Sequence, residues 1–446
     1  MHRPTTPEPT RLSSLLPPDD SLRMALHNEV HARPTAEIAL PALVVYVAVL
    51  NHAISVDAEH AHLCRLPGQA DIARNRMDGN FLRVDLADCT VKWERHSEFS
   101  RYSIVQAMPD HADLDAREPD LPAGLAVDPE WLRAIPGRTM VAIKLALLSG
   151  EVDDPQPLVQ RIRAWFGAAP IAASVVGTDG YSLAASDFTL RPTGFSRMLV
   201  VAPATTSPSR AGRVAQRLLE LETYRMMALL GLPVAKALGT MLTQSEAQVA
   251  AMTAQLEGKA ASDQELLDAL VALAARVERA MAEHMYRFSA TAAYDALVQQ
   301  RIRDLRERAI PGTQTLGEFM QRRLSPAIAT VAATGERLQS LSARVARASD
   351  LLRTRVDIAT EAQNQLLLEK LTRGQELQLR LQSTVEGLSI AAISYYVVSL
   401  LLYGTKSLKL LGLQTDPEVA VGLMIPMVLW VVWRITRRVQ SKIYPS

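Results

Sequence analysis

The 446-residue chain has almost no cysteine, almost no net charge and none of the short motifs of common enzyme classes. Its two cysteines, Cys64 and Cys89, are too few for a disulfide framework and indicate free thiols in a reducing compartment. With 48 basic and 47 acidic residues, bulk charge does not favour nucleic acid as a partner. The motifs GxxxxGK[ST], GxGxxG, GxSxG and CxxC are absent, so an ordinary nucleotide-driven pump is not expected.

The amino-terminal end also lacks the apolar core of a signal peptide. Its first 18 residues, MHRPTTPEPTRLSSLLPP, carry prolines and charges where such a core is apolar. We therefore expect residues 1–20 to form a disordered, proline-rich leader. We also expect the chain up to about residue 386 to stay in the cytosol.

Long uncharged apolar runs lie near the carboxyl end and predict two transmembrane helices. Residues 387–405 supply the roughly 20 residues that cross a hydrocarbon core about 30 Å thick. The second run starts at residue 419 and reaches residue 436 if the basic residues that follow it extend their charged ends to the interface. The lipid bilayer is therefore an expected partner of this chain.

Basic residues around these runs predict their orientation. The flanking cations are Arg373, Arg380, Arg434, Arg437 and Arg438. Under the positive-inside rule both ends of the pair face the cytoplasm, which leaves residues 406–418 as an outer loop and residues 437–446 as a basic cytosolic tail. The sequence thus predicts a multi-pass protein of the cytoplasmic membrane.

The first half of the chain alternates strand-length apolar runs with helical patterns. Residues 21–205 are therefore predicted to form a cytosolic α/β or α+β domain. Strands are predicted over residues 43–50, 81–86, 90–96, 99–105, 140–148, 171–177 and 197–201. Helices are predicted over residues 21–32, 56–66 and 155–166.

After residue 205 strand signals are scarce, and apolar residues recur at intervals of three and four, as in helices and coiled coils. One such series is Leu338, Leu341, Val345, Ala348 and Leu352. We predict a helical or coiled-coil stalk domain over residues 206–386. Breaks in the helices are predicted at Gly231, Pro311 and Pro326. A long helix entering the membrane needs cover from its own hairpin or from other subunits, so we expect a homo-oligomer.

Eight of the nine histidines precede residue 112, and the densest run is HNEVHARP, residues 27–34. His27 and His31 are four residues apart on one helical face, the spacing of two imidazole ligands of a divalent metal. Glu29 and Arg33 add charge to this run. The favoured interpretation is structural: a helix end whose polar groups bond to a neighbouring strand, with Pro34 ending the helix. A divalent metal stays open as the alternative.

The second dense polar run is WERHSEF, residues 93–99. In a continuous strand Glu94, His96 and Glu98 share one face, and Trp93 and Arg95 lie on the other. A Glu–His–Glu face can bind a cation or tune a histidine for proton transfer, but a salt-bridge network that includes the arginine of the first run is favoured. Because a lone buried charge is costly, we predict that the two runs meet in one cluster.

The two runs resemble a known family. In the bacterial membrane-anchored proteins grouped as domain-of-unknown-function family 3422, the stretches read close to LHNEVHARP and WERHTEF, similar to residues 26–34 and 93–99 here. The resemblance covers nearly the whole chain, including both apolar runs. It implies a bacterial inner-membrane protein of the same topology. It implies no activity, because none is assigned to the family.

The order of the parts also resembles the CorA-type divalent-cation channels, which are pentamers with a Gly-Met-Asn filter after the first span. Here Tyr403 and Gly404 are followed by Thr405 and Lys406. These four residues are the pore-loop candidates, although the methionine and the asparagine are absent. A lysine at the entrance repels cations, and Tyr-Gly also suits a simple helix end.

Two functions from different classes follow. The first is an oligomeric, CorA-like ion transporter or channel. The second is a non-transporting cytosolic interaction or scaffold module tethered to the membrane. An enzyme built on His27, His31, Glu94 and His96 is a third reading. The predicted spans offer only hydroxyls as polar groups, which favours an anchor. The residues identify no cofactor beyond the open metal alternative.

Overall fold

The computed structural model describes residues 20–23, 26, 37–77, 79–109, 112–257, 262–409 and 417–443. The chain divides into two packing units. Unit one comprises residues 1–257 and 269–346, and unit two comprises residues 258–268 and 347–446. The predicted helix over residues 21–32 and the HNEVHARP run lie almost wholly outside the described residues.

A mixed eight-stranded sheet forms the centre of unit one. Its strands are β1 (Ala42–Leu50), β2 (Phe81–Asp85), β3 (Cys89–Arg95), β4 (Phe99–Ala107), β5 (Arg138–Ser149), β6 (Ala172–Val176), β7 (Ser182–Ser186) and β8 (Ser196–Ala202). Their order is β2-β3-β4-β1-β5-β8-β7-β6. All neighbours pair antiparallel except β5 and β8, which are parallel. The predicted α+β class is confirmed at this level.

Eight helices accompany the sheet in the part of the chain that the structure describes. They are α1 (Val56–Leu63), α2 (Pro129–Arg133), α3 (Pro155–Ile162), α4 (Pro208–Leu229), α5 (Gly231–Glu257), α6 (Asp263–Leu305), α7 (Leu316–Lys409) and α8 (Pro417–Ile443). Of the predicted breaks, the one at Gly231 separates α4 from α5, and Pro311 lies between α6 and α7. Pro326 lies inside α7 and does not end it.

The alternation of apolar residues along β1 gives the sheet two buried faces. Val45 belongs to the face that packs with α1, α2 and α3. Tyr46 belongs to the opposite face, which packs with α4, the end of α6 and the start of α7. Unit one is therefore layered as helices, sheet and helices, and both faces of its central strands are shielded from water.

The boundary predicted at residue 205 is wrong as a division between packed domains. Helix α4 buries Val214, Leu218 and Leu221, which recur at three- and four-residue intervals, in the core of the sheet. Helix α5 and the first part of α7 also belong to unit one, and the ion pair between Arg337 and Glu246 links these two helices. The helical region up to residue 346, apart from residues 258–268, thus belongs to the same unit as the sheet.

Unit two contains the second part of α7, the start of α6 and all of α8. The Arg355 Nε atom lies 3.2 Å from an Asp263 carboxylate oxygen, which joins α7 to the start of α6. Further along, Ile393 and Val397 of α7 line one apolar groove with Val428 and Val432 of α8. Between these points the leucines of α7 are largely exposed.

Two stretches of the described residues pass a length and hydropathy test for membrane spans. The first, Pro208–Leu256, contains α4, whose apolar side is already buried against the sheet. The second, Leu316–Ser407, reaches a mean hydropathy of 1.8 over 18 residues, and only 6% of that window is buried. It contains residues 387–405, the first predicted span.

Candidate functional site

The WERHSEF run forms a hairpin rather than a continuous strand. Strand β3 ends at Arg95 and β4 begins at Phe99, and the His96 N–H donates to the Phe99 carbonyl at 2.8 Å. The Asn51 side chain fixes this turn by donating to the His96 carbonyl at 2.9 Å. The predicted Glu94–His96–Glu98 face is therefore wrong, because the chain reverses direction between the first and last of these residues.

Trp93 turns to the sheet face that packs with α1 to α3. It is fully buried, and its register partners on the neighbouring strands are Leu82 and Tyr102. Tyr102 in turn contacts the ring of Trp131 from α2 at a centroid distance of 6.1 Å. The tryptophan of the motif is thus a core residue of the sheet.

Glu94 turns to the opposite face and is only 1% exposed. It faces Arg101 across the β3–β4 pair, and the guanidinium donates to both carboxylate oxygens, at 2.6 and 2.9 Å. Lys92, two residues earlier on the same face, lies 3.3 Å from the same carboxylate. Bidentate geometry of this kind makes a strong, directional ion pair.

Helices α4 and α6 extend this pair into a chain of charges. Arg101 Nη1 lies 3.2 Å from Glu220 of α4, and Arg301 of α6 lies 2.6 Å from the other oxygen of Glu220. We call Lys92, Glu94, Arg101, Glu220 and Arg301 the charge network. Opposite charges alternate along it, so its buried groups compensate one another.

The electrostatics of the network hold its carboxylates ionised. Burial alone raises the pKa of Glu94, but the charge and hydrogen bonds of Arg101, with help from Lys92, outweigh burial and lower it to about 2. The pKa of Glu220 is also lowered, because Arg101 and hydrogen bonding outweigh its burial. Both carboxylates are therefore favoured in the ionised form near neutral pH.

The other two charged residues of the motif form ion pairs with residues outside the hairpin. Arg95 donates to the fully buried carboxylate of Glu59 and to the Ile54 carbonyl at 2.8 Å. Glu98 forms an ion pair with Arg287 of α6. These contacts fasten the hairpin to α1 and to the helical layer.

A cleft of about 360 Å³ opens beside the turn. Its lining includes Arg95, His96 and Ser97 from the hairpin, together with Tyr224 of α4 and Tyr294 of α6. The His96 ring stacks on Phe99 with centroids 4.5 Å apart. We call this opening the turn cleft; its lining combines histidine, serine, tyrosine and arginine residues.

A second, smaller cavity of about 60 Å³ touches the charge network directly, through Lys92, Glu94 and Arg101. It has room for a few water molecules. Glu37 and Ile38 also line it. These two residues follow HNEVHARP almost directly in the chain.

The first candidate run lies outside the described residues, so His27, Glu29, His31 and Arg33 receive no placement. That the two runs meet in one cluster therefore stays a prediction. Among the residues that are described, no group of three or more His, Cys, Asp or Glu side chains is arranged to hold a metal ion.

The pore-loop candidates lie within a helix rather than a loop. Tyr403, Gly404, Thr405 and Lys406 all precede the end of α7 at Lys409. The Thr405 hydroxyl donates to the Leu401 carbonyl at 2.9 Å, in the manner of an ordinary helical threonine. Backbone carbonyls committed to a helix are not arranged as a selectivity filter.

Sequence reasoning missed Arg101 and Glu220, the partners that explain Glu94. Each was marked by a simple signal, a charge inside an apolar pattern: Arg101 in the strand FSRYSIV and Glu220 in the helical stretch LLELETY. Burying an ion without a partner is costly, so charges inside apolar patterns are expected to pair with one another.

The family model described as "Protein of unknown function (DUF3422)" matches residues 18–443. A search of curated proteins finds no match. The matched span holds both polar motifs, the sheet and the two apolar helices, and the chain therefore belongs to the DUF3422 family of proteins of unknown function.

Proposed function

We propose that this protein is a membrane-tethered interaction module, with unit one in the cytosol of a bacterium and the end of α7 and α8 in the inner membrane. The observation that carries the proposal is the exposed apolar surface of unit two. Leu388, Leu400 and Leu423 are 73% to 80% exposed, in runs of the chain without a charged side chain. Contiguous apolar surface of this length fits a hydrocarbon core better than water.

Aromatic and basic side chains at the end of α8 support the same placement. The Arg434 guanidinium lies 4.8 Å from the ring centre of Trp430, and that of Arg437 lies 4.7 Å from Trp433. Tryptophan beside arginine suits the headgroup region, where the ring is half in hydrocarbon and the charge is hydrated. Both ends of the helix pair then face the cytosol under the positive-inside rule.

Membrane extraction tests this anchor. We expect the full chain to stay in the membrane pellet after an alkaline carbonate wash, whereas a chain ending at Glu386 is released to the supernatant because it lacks both apolar runs. A chain ending at Lys409 retains the first run and is the matched control, expected in the pellet. Release of the full chain by carbonate would contradict the anchor.

Unit one supports binding better than catalysis. The buried carboxylates of Glu94 and Glu220 are held ionised by the charge network, whereas the turn cleft is an open site lined by polar residues. Concave sites with a few convergent polar groups are where ligands and peptides bind. We therefore assign the turn cleft, rather than the charge network, as the recognition site of the module.

We further propose that the protein is a homo-oligomer held by α7. Leu367, Leu371, Leu381, Val385 and Leu388 are 57% to 75% exposed. Their intervals of four, ten, four and three residues keep the heptad register of a coiled-coil seam. Self-association buries this seam, and a closed ring or dimer avoids endless growth.

Paired charge substitutions test the seam. We expect Leu371→Asp with Leu381→Asp to shift the purified protein in mild detergent towards a monomer, because each aspartate places a charge in the buried seam. The matched control is Leu366→Asp with Leu379→Asp, two leucines of similar exposure on the other side of α7. Light scattering measures the mass; equal masses for both double variants would argue against this seam.

Ion transport of the CorA kind is the second candidate. The observation in its favour is that α7 continues without a break from the layer beside the sheet, at Leu316, to Lys409 beyond the first apolar run. The helical state of residues 403–406 and the charge of Lys406 weigh against a cation filter of that type. Cation flux into liposomes that carry the protein separates the two functions.

A further inference from the structure

A pocket of about 310 Å³ in unit one lies beside the parallel strands β5 and β8. We call it the Lys144 pocket. Lys144 is in the middle of β5, and its register partner on β8 is Arg197. The pocket is lined by Glu118, Asp120, Lys144, Arg191, Phe195 and Arg197, among others. This lining thus contains three cationic side chains and two carboxylates.

Lys144 is an unusual residue for its position. It is 4% exposed, on a sheet face where the next inward residues of β5, Ala146 and Leu148, are core apolar residues. Its Nζ atom lies 4.6 Å from the ring centre of Phe195 and has no hydrogen-bond partner among the described residues. A buried amine in this state is costly, and its presence calls for a ligand or another function.

A second buried donor in the same lining is also unused. Arg191 donates through Nη2 to Asp187 at 2.8 Å and to the Phe166 carbonyl at 3.4 Å, but its Nε–H has no partner in the part of the chain that the structure describes. Arg197, by contrast, is engaged: its guanidinium donates to the Pro119 and Trp165 carbonyls. Both residues line the same cavity, and each carries a buried donor atom without a partner among the described residues.

The electrostatics agree with this geometry. Burial lowers the pKa of Lys144 to about 8, with Asp120 opposing the shift and Arg197 adding to it. An anion held against the amine reverses the effect of burial and restores the charged form.

We propose that the Lys144 pocket binds a small organic anion, with Lys144 Nζ and Arg191 Nε–H donating to its carboxylate or phosphate oxygens. Phe195 lies over the amine and offers an apolar ring to the body of the ligand. Occupation of the site requires this ring to move aside from Nζ. The volume admits a molecule of roughly metabolite size.

Calorimetric titration of the full chain in mild detergent tests the site, with benzoate as the carboxylate probe, inorganic phosphate as the phosphate probe and chloride at equal ionic strength as the blank. We expect at least one probe to bind and Lys144→Met to weaken it at least tenfold. Lys236→Met, at an exposed lysine of α5, is the matched control and leaves binding unchanged. Lys144→Arg keeps the charge and is expected to keep measurable binding.

Two further readouts separate a binding residue from a structural one. Without ligand, Lys144→Met is expected to melt at the wild-type temperature or above, because it removes a buried amine that lacks a partner. At pH 8, benzoate binding to the wild type is expected to take up protons, which titrations in buffers of different ionisation heat measure. The absence of binding by both probes, or equal affinity in Lys144→Met, would overturn the proposal.

Discussion

Replacing Arg101 by methionine is expected to lower the free energy of unfolding of unit one by about 3–5 kcal/mol at pH 7, because the change leaves buried carboxylates without their main counter-charge. Glu94 loses both of its guanidinium hydrogen bonds, and Glu220 keeps only Arg301 and Gln216. Urea unfolding followed by circular dichroism measures the loss. A deficit below about 1 kcal/mol would mean that the network contributes little to stability.

The dependence on pH distinguishes this cause from a packing defect. In the wild type the pKa of Glu94 is lowered from 4.5 to about 2, so its contribution is present above pH 4.5 and is lost as the pH falls towards 2. In the Arg101→Met protein, burial acts on Glu94 with less opposition and raises its pKa. The folded variant then takes up a proton as the pH falls, so its deficit relative to wild type shrinks between pH 7 and pH 5.

The control for this experiment is an arginine in an exposed pair. Arg133 pairs with Glu130 on the surface of α2, with both side chains about 70% exposed. Because water screens such a pair, Arg133→Met is expected to leave the unfolding midpoint almost unchanged. An equal loss in the two methionine variants would point to the substituted residue type rather than to the charge network.

Trp93→Ala is expected to cost about 3–5 kcal/mol, whereas His96→Ala, three residues later in the same motif, is expected to cost far less. Trp93 is fully buried between its partners on β2 and β4, so alanine leaves a large cavity. His96 lies in the turn, is partly exposed, and stacks its ring on Phe99. The same urea titration measures both variants.

The contrast within the motif is the informative result. A large loss of stability in Trp93→Ala and a small loss in His96→Ala would show that the first half of the motif builds the core. The second half, which lines the turn cleft, could then change without loss of the fold. Trp93→Phe retains part of the ring volume and is expected to fall between the two. An equal loss of unfolding free energy in His96→Ala and Trp93→Ala would show that the turn is structural as well. That result would argue against the turn cleft as the recognition site.

The strands were predictable because most of them are apolar and β-branched. All seven predicted strands appear, within about two residues of their predicted ends. The missed one, β7, reads SLAAS, and all of its residues except Leu183 are small serines and alanines with little strand preference. Its place in the sheet comes from pairing with β6 and β8 on either side.

The grouping of elements was less predictable than the elements themselves. The composition changes at residue 205 because strands give way to helices, yet α4 uses its apolar side to cover the sheet. Periodicity reveals that a helix has a face to bury; it does not reveal which partner buries it. The boundary between packing units therefore could not be read from composition.

The candidate site was predictable in part. The WERHSEF run was singled out, but its turn at residues 96–98 contains no glycine, proline or asparagine to mark it. Strict alternation through the run consequently placed Glu98 with Glu94. Glu220 is 126 residues from Glu94 in the chain, and such pairings depend on the three-dimensional fold. For Lys144, the signal was present as a lone charge in the apolar strand MVAIKLALL.

The Glu94–Arg101 pair has a consequence for how the chain finds its fold. These two residues are direct partners in the register of β3 and β4. A slip of β3 by one position would turn Trp93 towards α4 and Glu94 towards the apolar core around Trp131, while Arg101 would stay on the α4 side because β4 keeps its pairing with β1. An unpaired Glu94 in that core, and an Arg101 without its carboxylate partner, would make the slipped hairpin far less stable than the native one. The pair therefore favours the native register of the two strands over an alignment shifted by one position.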